Sequence, residues 1–108
     1  METRQGIDAV MLTEADNVAT ALRDLAQGEE ARVGVGERTF LVPVRQGIAF
    51  GHKLSVTDIR SGDEIRKYGE VIGRATQDIP SGTHAHVQNV ESLRGRGDLE
   101  AARKAHAV

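Results

Sequence analysis

The segment THAHVQN places two histidines one residue apart, and they are half of the four histidines in the chain. In an extended strand, residues two apart point to the same side, so His84 and His86 share a face with Gln88. Ala85 and Val87 are then expected to point inward. Two imidazoles on one face can bind a divalent ion or act as a general acid and base. A solvated polar face is the alternative, because Gln88 is the only further ligand nearby and a weak one.

Two other short motifs carry groups that could do chemistry. Gly51 allows close backbone approach to a ligand, and after it His52 can carry a proton while Lys53 can bind an anion. Further on, Lys67 precedes Tyr68, the only tyrosine, which could donate a hydrogen bond in a site. A plain turn entering a strand is the alternative for the first motif, and a half-buried packing tyrosine for the second.

Composition limits the classes of partner. The 108 residues suffice for one domain, and a net charge of −2 without a basic stripe gives no basis for binding nucleic acid or an anionic membrane. With no cysteine, disulfides, thiolate metal sites and thiol nucleophiles are excluded. The start of the chain does not resemble a signal peptide, and no apolar run approaches a membrane span, so we expect a cytoplasmic protein. A small aliphatic core would also be compatible with homo-oligomers.

The elements that must position these residues are predicted to be short strands between glycines. Patterning favours a hairpin over residues 31–44, with Gly34 and Gly36 near its turn. Only residues 98–106 have a helical composition. We therefore expect a domain over residues 1–93, followed by a flexible linker and short helical tail over 94–108. The other predicted strands are 6–12, 17–22, 51–59, 70–76 and 83–90.

An internal repeat is the most informative feature of the chain. Its pattern is Asp-Leu/Ile-x-x-Gly, which predicts a corner: the aspartate caps the following turn, the aliphatic residue fills the core, and the glycine takes a positive φ. Three corners leading into three strands predict a compact, irregular, mainly β fold. The copies are Asp24, Leu25 and Gly28; Asp58, Ile59 and Gly62; and Asp78, Ile79 and Gly82.

The copies differ two and four residues after the glycine. These positions hold Glu30 and Arg32, then Glu64 and Arg66, then His84 and His86. The common part therefore indicates a shared fold, and the histidines indicate a separate role for the third copy.

Four motifs in order resemble the small SAF-type domain of altronate and galactarate dehydratases, which also serves sulfolactate sulfo-lyase as its small subunit. They are GHK at 51–53, TDI-x-x-G at 57–62, KYG-x-x-IG at 67–73 and DI-x-x-G-x-H-x-H-x-x-N at 78–89. The resemblance extends over residues 16–93. It implies a β-clip fold and a hydro-lyase subunit that needs a large catalytic subunit to remove water from an aldonic or aldaric acid.

The resemblance also implies roles for the motif residues. It implies a divalent metal, Fe(II) in particular, shared with or completed by the large subunit, because Gln88 stands where many relatives have a third histidine. Two alternatives stay open: the small subunit of a sulfolactate sulfo-lyase, and a module that binds sugar acids without catalysis. The implied assignments are catalytic His52, Lys67 and Tyr68; substrate-binding Gly51, Lys53, Gln88 and Asn89; and metal-binding His84 and His86.

Overall fold

The computed structural model describes residues 6–92, and all regular elements in this range are β-strands. The mainly β fold predicted from patterning is therefore confirmed. The predicted linker and helical tail over 94–108 lie outside the described residues. The strands are β1 (Ala9–Met11), β2 (Val18–Ala21), β3 (Glu30–Val35), β4 (Arg38–Pro43), β5 (Lys53–Ser55), β6 (Glu64–Lys67), β7 (Glu70–Ala75), β8 (His84–Ala85) and β9 (Val90–Ser92).

The strands form two sheets. The larger has the order β4-β3-β1-β2-β5-β8, in which β1 and β3 are parallel and the other neighbours antiparallel. The smaller has the antiparallel order β6-β7-β9. Strands β5 and β8, at one end of the larger sheet, carry two of the three chemical motifs, and β6 carries the third.

The core is aliphatic, as the scarcity of aromatic residues predicts, and it has two parts. One lies under β1 to β5 and includes Val33 and Leu54, which are fully buried. The other joins the sheets, because it packs Val18 of β2 and Ala85 of β8 against Ile65 of β6. Burial of these side chains is the main force holding the small sheet against the large one.

The predicted hairpin over 31–44 is confirmed as β3 and β4, which pair from Glu30 opposite Pro43 to Val35 opposite Arg38. Gly36 in the turn has φ 61°. Gly34 is explained by close packing instead, since a Cβ there would lie 2.6 Å from the Cδ1 atom of Ile7.

The repeated segments form turns with the expected backbone. Gly28, Gly62 and Gly82 have φ values of 99°, 94° and 85°, in the region that glycine enters without steric cost. The aliphatic residues of the repeat are all buried, with 2%, 2% and 0% exposure for Leu25, Ile59 and Ile79.

The prediction that each aspartate caps its own turn is wrong. Asp58 accepts a hydrogen bond from Ser81 N at 2.9 Å, and Asp78 accepts one from Ser61 N at 2.9 Å, so each binds the other copy's turn. The cap within a turn comes from the residue after the glycine, as where Asp63 accepts from the amide of Arg60 at 3.0 Å. The second and third copies are thus interlocked, whereas Asp24 of the first copy accepts from the amide of Phe50 at 2.8 Å. Sequence spacing alone cannot reveal these partners.

Three strand predictions need correction. The strand predicted over 83–90 stops at Ala85, because His86 begins a turn in which its carbonyl accepts from Asn89 N at 3.0 Å. Val87 therefore does not point inward and is 80% exposed. The strand predicted over 51–59 covers only Lys53–Ser55, and β6 was not named as a strand of its own.

Candidate functional site

Three histidines from two neighbouring strands meet at the end of the larger sheet. His52 directly precedes β5, and β5 pairs with β8 so that Lys53 lies opposite Ala85. This register places His52 beside His84 and His86. One nitrogen of each ring lies within 4.8 Å of the others, and His52 Nδ1 is 2.8 Å from His84 Nε2. The rings are stacked, with centroids 4.2 to 5.1 Å apart.

The backbone around the histidines is fixed by side-chain amides. The buried Asn89 donates to the carbonyl of His84 at 2.9 Å and accepts from the amide of His86 at 2.9 Å. Gln46 accepts from the amide of His84 at 2.7 Å. Gln88 Nε2 lies 3.3 Å from both the Nδ1 and the carbonyl oxygen of His84. Asn89 and Gln88, predicted to bind substrate, thus contact the histidine segment itself.

The surroundings favour neutral imidazoles. Burial lowers the pKa of His84, and the nearby His86, His52 and Lys53 lower it further. The pKa of His86 is likewise lowered, first by burial and then by His52 and Lys53. A neutral imidazole keeps a lone pair on one nitrogen, which is the form that binds metal ions.

The donor set fits a divalent transition metal. Imidazole nitrogens suit zinc, iron and similar ions, and three lie close enough to share one. His86 Nδ1 is buried and has no hydrogen-bond partner among residues 6–92, so it is an orphaned polar atom that a ligand would satisfy. The third nitrogen comes from His52, which the sequence placed among catalytic residues. Only the pairing of β5 with β8 shows that it joins the predicted metal pair.

A groove of about 510 Å³ opens beside the histidines. Lys53 and Lys67 both line it, and burial together with the charge of Lys67 lowers the pKa of Lys53. Two ammonium groups facing one groove favour an anion such as a carboxylate. The lining residues are Lys53, Lys67, Tyr68, Glu70, Ile72, His86, Val87, Val90 and Ser92.

Tyr68 also lines this groove, at the turn between β6 and β7. It is the one described non-glycine residue with a positive φ, at 55°. Its hydroxyl donates to Thr20 Oγ1 at 2.9 Å, and Lys67 Nζ lies 5.1 Å from its ring centroid. The predicted catalytic residues Lys67 and Tyr68 are therefore brought together with Lys53.

Gly51 is not among the residues that line the groove. Its φ is 85°, and a Cβ built on it would have no heavy atom within 4 Å. Its amide donates to the carbonyl of Ala21 at 2.8 Å. The turn conformation thus explains the glycine without the close ligand approach that the motif suggested.

Sequence reasoning missed Asp16, which is 4% exposed. Its carboxylate accepts hydrogen bonds from the amides of Tyr68 and Gly69 at 2.9 and 2.8 Å. Burial alone would raise the pKa of Asp16, but the hydrogen bonds from Gly69, Leu12 and Thr13 outweigh burial and lower it. The acid precedes a predicted strand, and nothing in its local sequence indicates a distant partner.

The fold and site together define a small β domain in which a cluster of three histidines borders a groove lined by two lysines. The family model for the altronate/galactarate dehydratase SAF domain matches residues 7–93, and the chain belongs to this family. The resemblance noted from the motifs is thereby confirmed. Within residues 6–92 we find no helix long and apolar enough to cross a membrane.

Relatives fall into two named groups. The chain is 48% identical over 77 residues to an altronate dehydratase of Escherichia coli and 39% identical over 84 residues to one of Bacillus subtilis. These matches cover 71% and 77% of the chain but 15% and 16% of those proteins. It is also 40% identical over 58 residues to the (2R)-sulfolactate sulfo-lyase subunit alpha of Chromohalobacter salexigens, covering 54% of the chain and 62% of that subunit.

Proposed function

We propose that the chain is the small subunit of a sugar-acid dehydratase and completes the active site of a separate large catalytic subunit. The substrate is an aldonic or aldaric acid of the altronate or galactarate type. The observation that carries the proposal is a cluster of three histidines that borders, through His86, a groove lined by two lysines and a tyrosine. The proteins named altronate dehydratase share this domain over only 15% and 16% of their length, so most of their machinery lies elsewhere.

The groove residues suit a hydroxy acid. Lys53 and Lys67 bind the carboxylate, where their positive charge also favours the extra negative charge that develops when the proton on the neighbouring carbon is removed. Tyr68 lies beside Lys67, and its hydroxyl, which donates to Thr20 Oγ1, can accept a hydrogen bond from a substrate hydroxyl. His86 borders both the groove and the histidine cluster, so it connects the carboxylate-binding lysines with the residues that would hold a metal.

A metal belongs to the same proposal. His52, His84 and His86 would hold a divalent ion, for which we propose Fe(II), with further ligands supplied by the large subunit. When bound, such an ion polarises the carboxylate or the leaving hydroxyl as a Lewis acid. The depressed pKa values of His84 and His86 keep these side chains in the neutral form that ligation needs.

A second candidate has its own support. Two relatives are named (2R)-sulfolactate sulfo-lyase subunit alpha, and the matches cover 62% and 82% of those chains. A sulfo-lyase subunit would use the same carboxylate-binding lysines and differ in the leaving group, which would be sulfite instead of water. These subunits also support the two-chain arrangement, since in them a domain of this family forms most of a chain.

The proposal is tested by expressing the chain with a large dehydratase subunit and measuring 2-keto-3-deoxy acid formation from altronate and galactarate, and sulfite release from sulfolactate. Lys67→Gln should lower turnover by roughly tenfold or more. Arg66→Gln is the matched control, because Arg66 is the neighbouring cation and pairs with Glu64 outside the groove.

Four results would distinguish the candidates. Formation of the 2-keto-3-deoxy acid from altronate or galactarate supports the dehydratase. Sulfite release from sulfolactate supports the sulfo-lyase instead. Failure of the chain to form a complex or restore activity, while a known small subunit succeeds, would refute both. Tight binding of galactarate by the chain alone, without any reaction in the complex, would show a binding module.

A further inference from the structure

Two residues between β1 and β2 bind the hairpin that carries part of the groove. Asp16 and Asn17 are adjacent in sequence, and their partners lie between residues 64 and 69. The contacts are made about 50 positions away along the chain, across the boundary between the two sheets. They therefore determine where the β6-β7 hairpin lies relative to the larger sheet.

Asp16 binds the turn of the hairpin. Its Oδ2 accepts from Tyr68 N at 2.9 Å and its Oδ1 accepts from Gly69 N at 2.8 Å. The same carboxylate accepts from the amides of Leu12 and Thr13, at 3.1 and 3.3 Å. A buried carboxylate with several amide donors makes strong, charge-assisted hydrogen bonds, so this one side chain ties the β1-β2 loop to the hairpin turn.

Asn17 binds the strand that leads into that turn. Its Nδ2 donates to Glu64 O at 2.9 Å, and its Oδ1 accepts from Arg66 N at 2.8 Å. Its own amide donates to the Arg66 carbonyl at 3.2 Å. The side-chain amide thus makes the backbone hydrogen bonds that a neighbouring strand would make, and these bonds fix the position of β6 relative to β2.

The geometry at Tyr68 explains why such a clamp is needed. A φ of 55° is costly for a residue with a Cβ, because the Cβ approaches the following carbonyl oxygen. A hairpin turn with this strain would relax unless other contacts held it. Relaxation would move Lys67 and the ring of Tyr68, which the end of β6 and the turn after it contribute to the groove.

We propose that Asp16 and Asn17 are positioning residues that hold Lys67 and Tyr68 in the groove, facing Lys53 and the histidines on the larger sheet. The role of Lys67 and Tyr68 in binding substrate rests on the proposed function. The clamp, by which we mean the hydrogen bonds of Asp16 and Asn17 to the β6-β7 hairpin, can be tested without substrate. Asp16 is the better target, because Asp16→Asn preserves the size of the side chain while turning one acceptor into a donor that faces amide donors.

The substrate-free test compares the full wild-type chain with Asp16→Asn, Tyr68→Gly and the double variant. Asp16→Asn should shift the amide NMR signals of Tyr68 and Gly69 and lower the midpoint of thermal unfolding. Glycine adopts a positive φ freely, so the Tyr68→Gly chain has no backbone strain to release when the clamp is lost. Asp16→Asn should therefore destabilise the Tyr68→Gly chain more than it destabilises wild type. Asp8→Asn is the control, since Asp8 also accepts from a backbone amide, that of Arg32 at 2.8 Å.

The binding test asks whether Asp16 acts through Lys67. Galactarate is titrated into the full chain by calorimetry, and Asp16→Asn should weaken binding about tenfold. In a Lys67→Gln background the same change should weaken binding less than about twofold, because the residue being positioned is already absent. A general loss of stability would instead give the same factor in both backgrounds.

The outcomes separate the two proposals. Unchanged Tyr68 and Gly69 signals in Asp16→Asn, or equal destabilisation with and without Tyr68→Gly, would overturn the clamp. Equal effects on galactarate affinity in the two backgrounds would also overturn it. If wild type binds no galactarate, the proposed ligand is wrong for the isolated chain, while the substrate-free arm still decides the clamp. If Asp16→Asn does not fold, Asn17→Ala is examined by the same NMR signals, and unchanged signals there would overturn the proposal.

Discussion

The turns at residues 58–63 and 78–83 share one backbone design and lead into strands with different chemistry. Each has a positive-φ glycine, a buried isoleucine and an aspartate that binds the other turn. Ile59 and Ile79 form a bridge between them. After the turn at 58–63, Glu64 and Arg66 form an ion pair with side chains 48% and 42% exposed. After the turn at 78–83, the equivalent positions hold His84 and His86 of the candidate site.

In both segments the turn determines the fold, and the strand that neighbours the following segment determines its chemistry. Strand β6 pairs only with β7 in its sheet, so its polar side chains meet solvent. Strand β8 pairs with β5, which is preceded by His52. The imidazole pair formed by His84 on β8 and His86 directly after it therefore meets a third imidazole, whereas the same substitution on β6 would meet none from β7. The predictions that follow test the shared turn and the divergent strands in order of expected effect.

The two turn glycines should differ when replaced by alanine. At Gly82 a Cβ would lie 2.1 Å from the carbonyl oxygen of Pro43, whereas at Gly62 it would meet no heavy atom within 4 Å. Gly62→Ala should cost about 1–2 kcal/mol for its positive φ, and Gly82→Ala about 3 kcal/mol or more, because the backbone must also shift. Urea unfolding at equilibrium measures both. Equal costs would mean that the tight packing against Pro43 is not rigid.

The histidine cluster should lose metal affinity when its third member is removed. His52→Ala should weaken binding of Co(II) to the full chain on the order of 100-fold, since even outer partners of metal ligands change affinity by 10–100-fold. Glu64→Ala, at the equivalent of His84, is the control and should change affinity little. Calorimetry and the visible spectrum of Co(II) report the result. Unaltered affinity in His52→Ala would exclude His52 as a ligand.

The local parts of the fold could be predicted from sequence. Alternation of β-branched residues around Gly36 predicts the hairpin, and the repeat predicts the positive φ and the buried aliphatic residue of each turn. The exchange of aspartates between Asp58 and Asp78 could not be predicted, because both short-range and cross-turn hydrogen bonds satisfy the same sequence pattern. The inward orientation predicted for Val87 was wrong for a related reason. Strand alternation predicts that the strand continues past His86, but the amide of Asn89 donates to the carbonyl of His86 and closes a turn there.

The sequence identified the residues of the candidate site but did not show which of them lie together. His-x-His is visible in one segment, but the third imidazole, from His52, arrives through strand pairing that depends on the whole sheet order. The role of Asp16 was hidden because its partners, Tyr68 and Gly69, are more than 50 residues away. Local spacing identifies donors; only the topology decides which of them meet.

His84 and His86 should make stability depend on pH in a way that their counterparts on β6 do not. The pKa values of His84 and His86 are lowered by burial, and then by neighbouring positive groups, from an ordinary value of 6.5. As pH falls through about 6.5, the unfolded chain takes up protons that the folded chain does not. The stability they contribute is thus complete above that pH and is lost progressively below it.

Urea unfolding of the metal-free chain between pH 7.5 and 5.5 measures this effect, with a chelator present. Wild type should lose stability toward pH 5.5, and His84→Gln combined with His86→Gln should flatten the profile. The carboxyl groups whose pKa values are lowered, such as Glu29 at about 2, titrate below this range and do not contribute. A wild-type profile as flat as that of the double variant would show that the histidines are not buried in neutral form.

The smallest effect is expected at the ion pair of β6. Glu64→Gln removes the partner of Arg66, but both side chains are exposed, and exposed pairs contribute about 0–1 kcal/mol. The strand itself should stay in place, because Asn17 binds the backbone at both positions, independently of their side chains. Equilibrium unfolding in low and high salt measures the change. A loss above about 2 kcal/mol would mean that these positions help to specify the fold, and the contrast with His84 and His86 would no longer separate fold from chemistry.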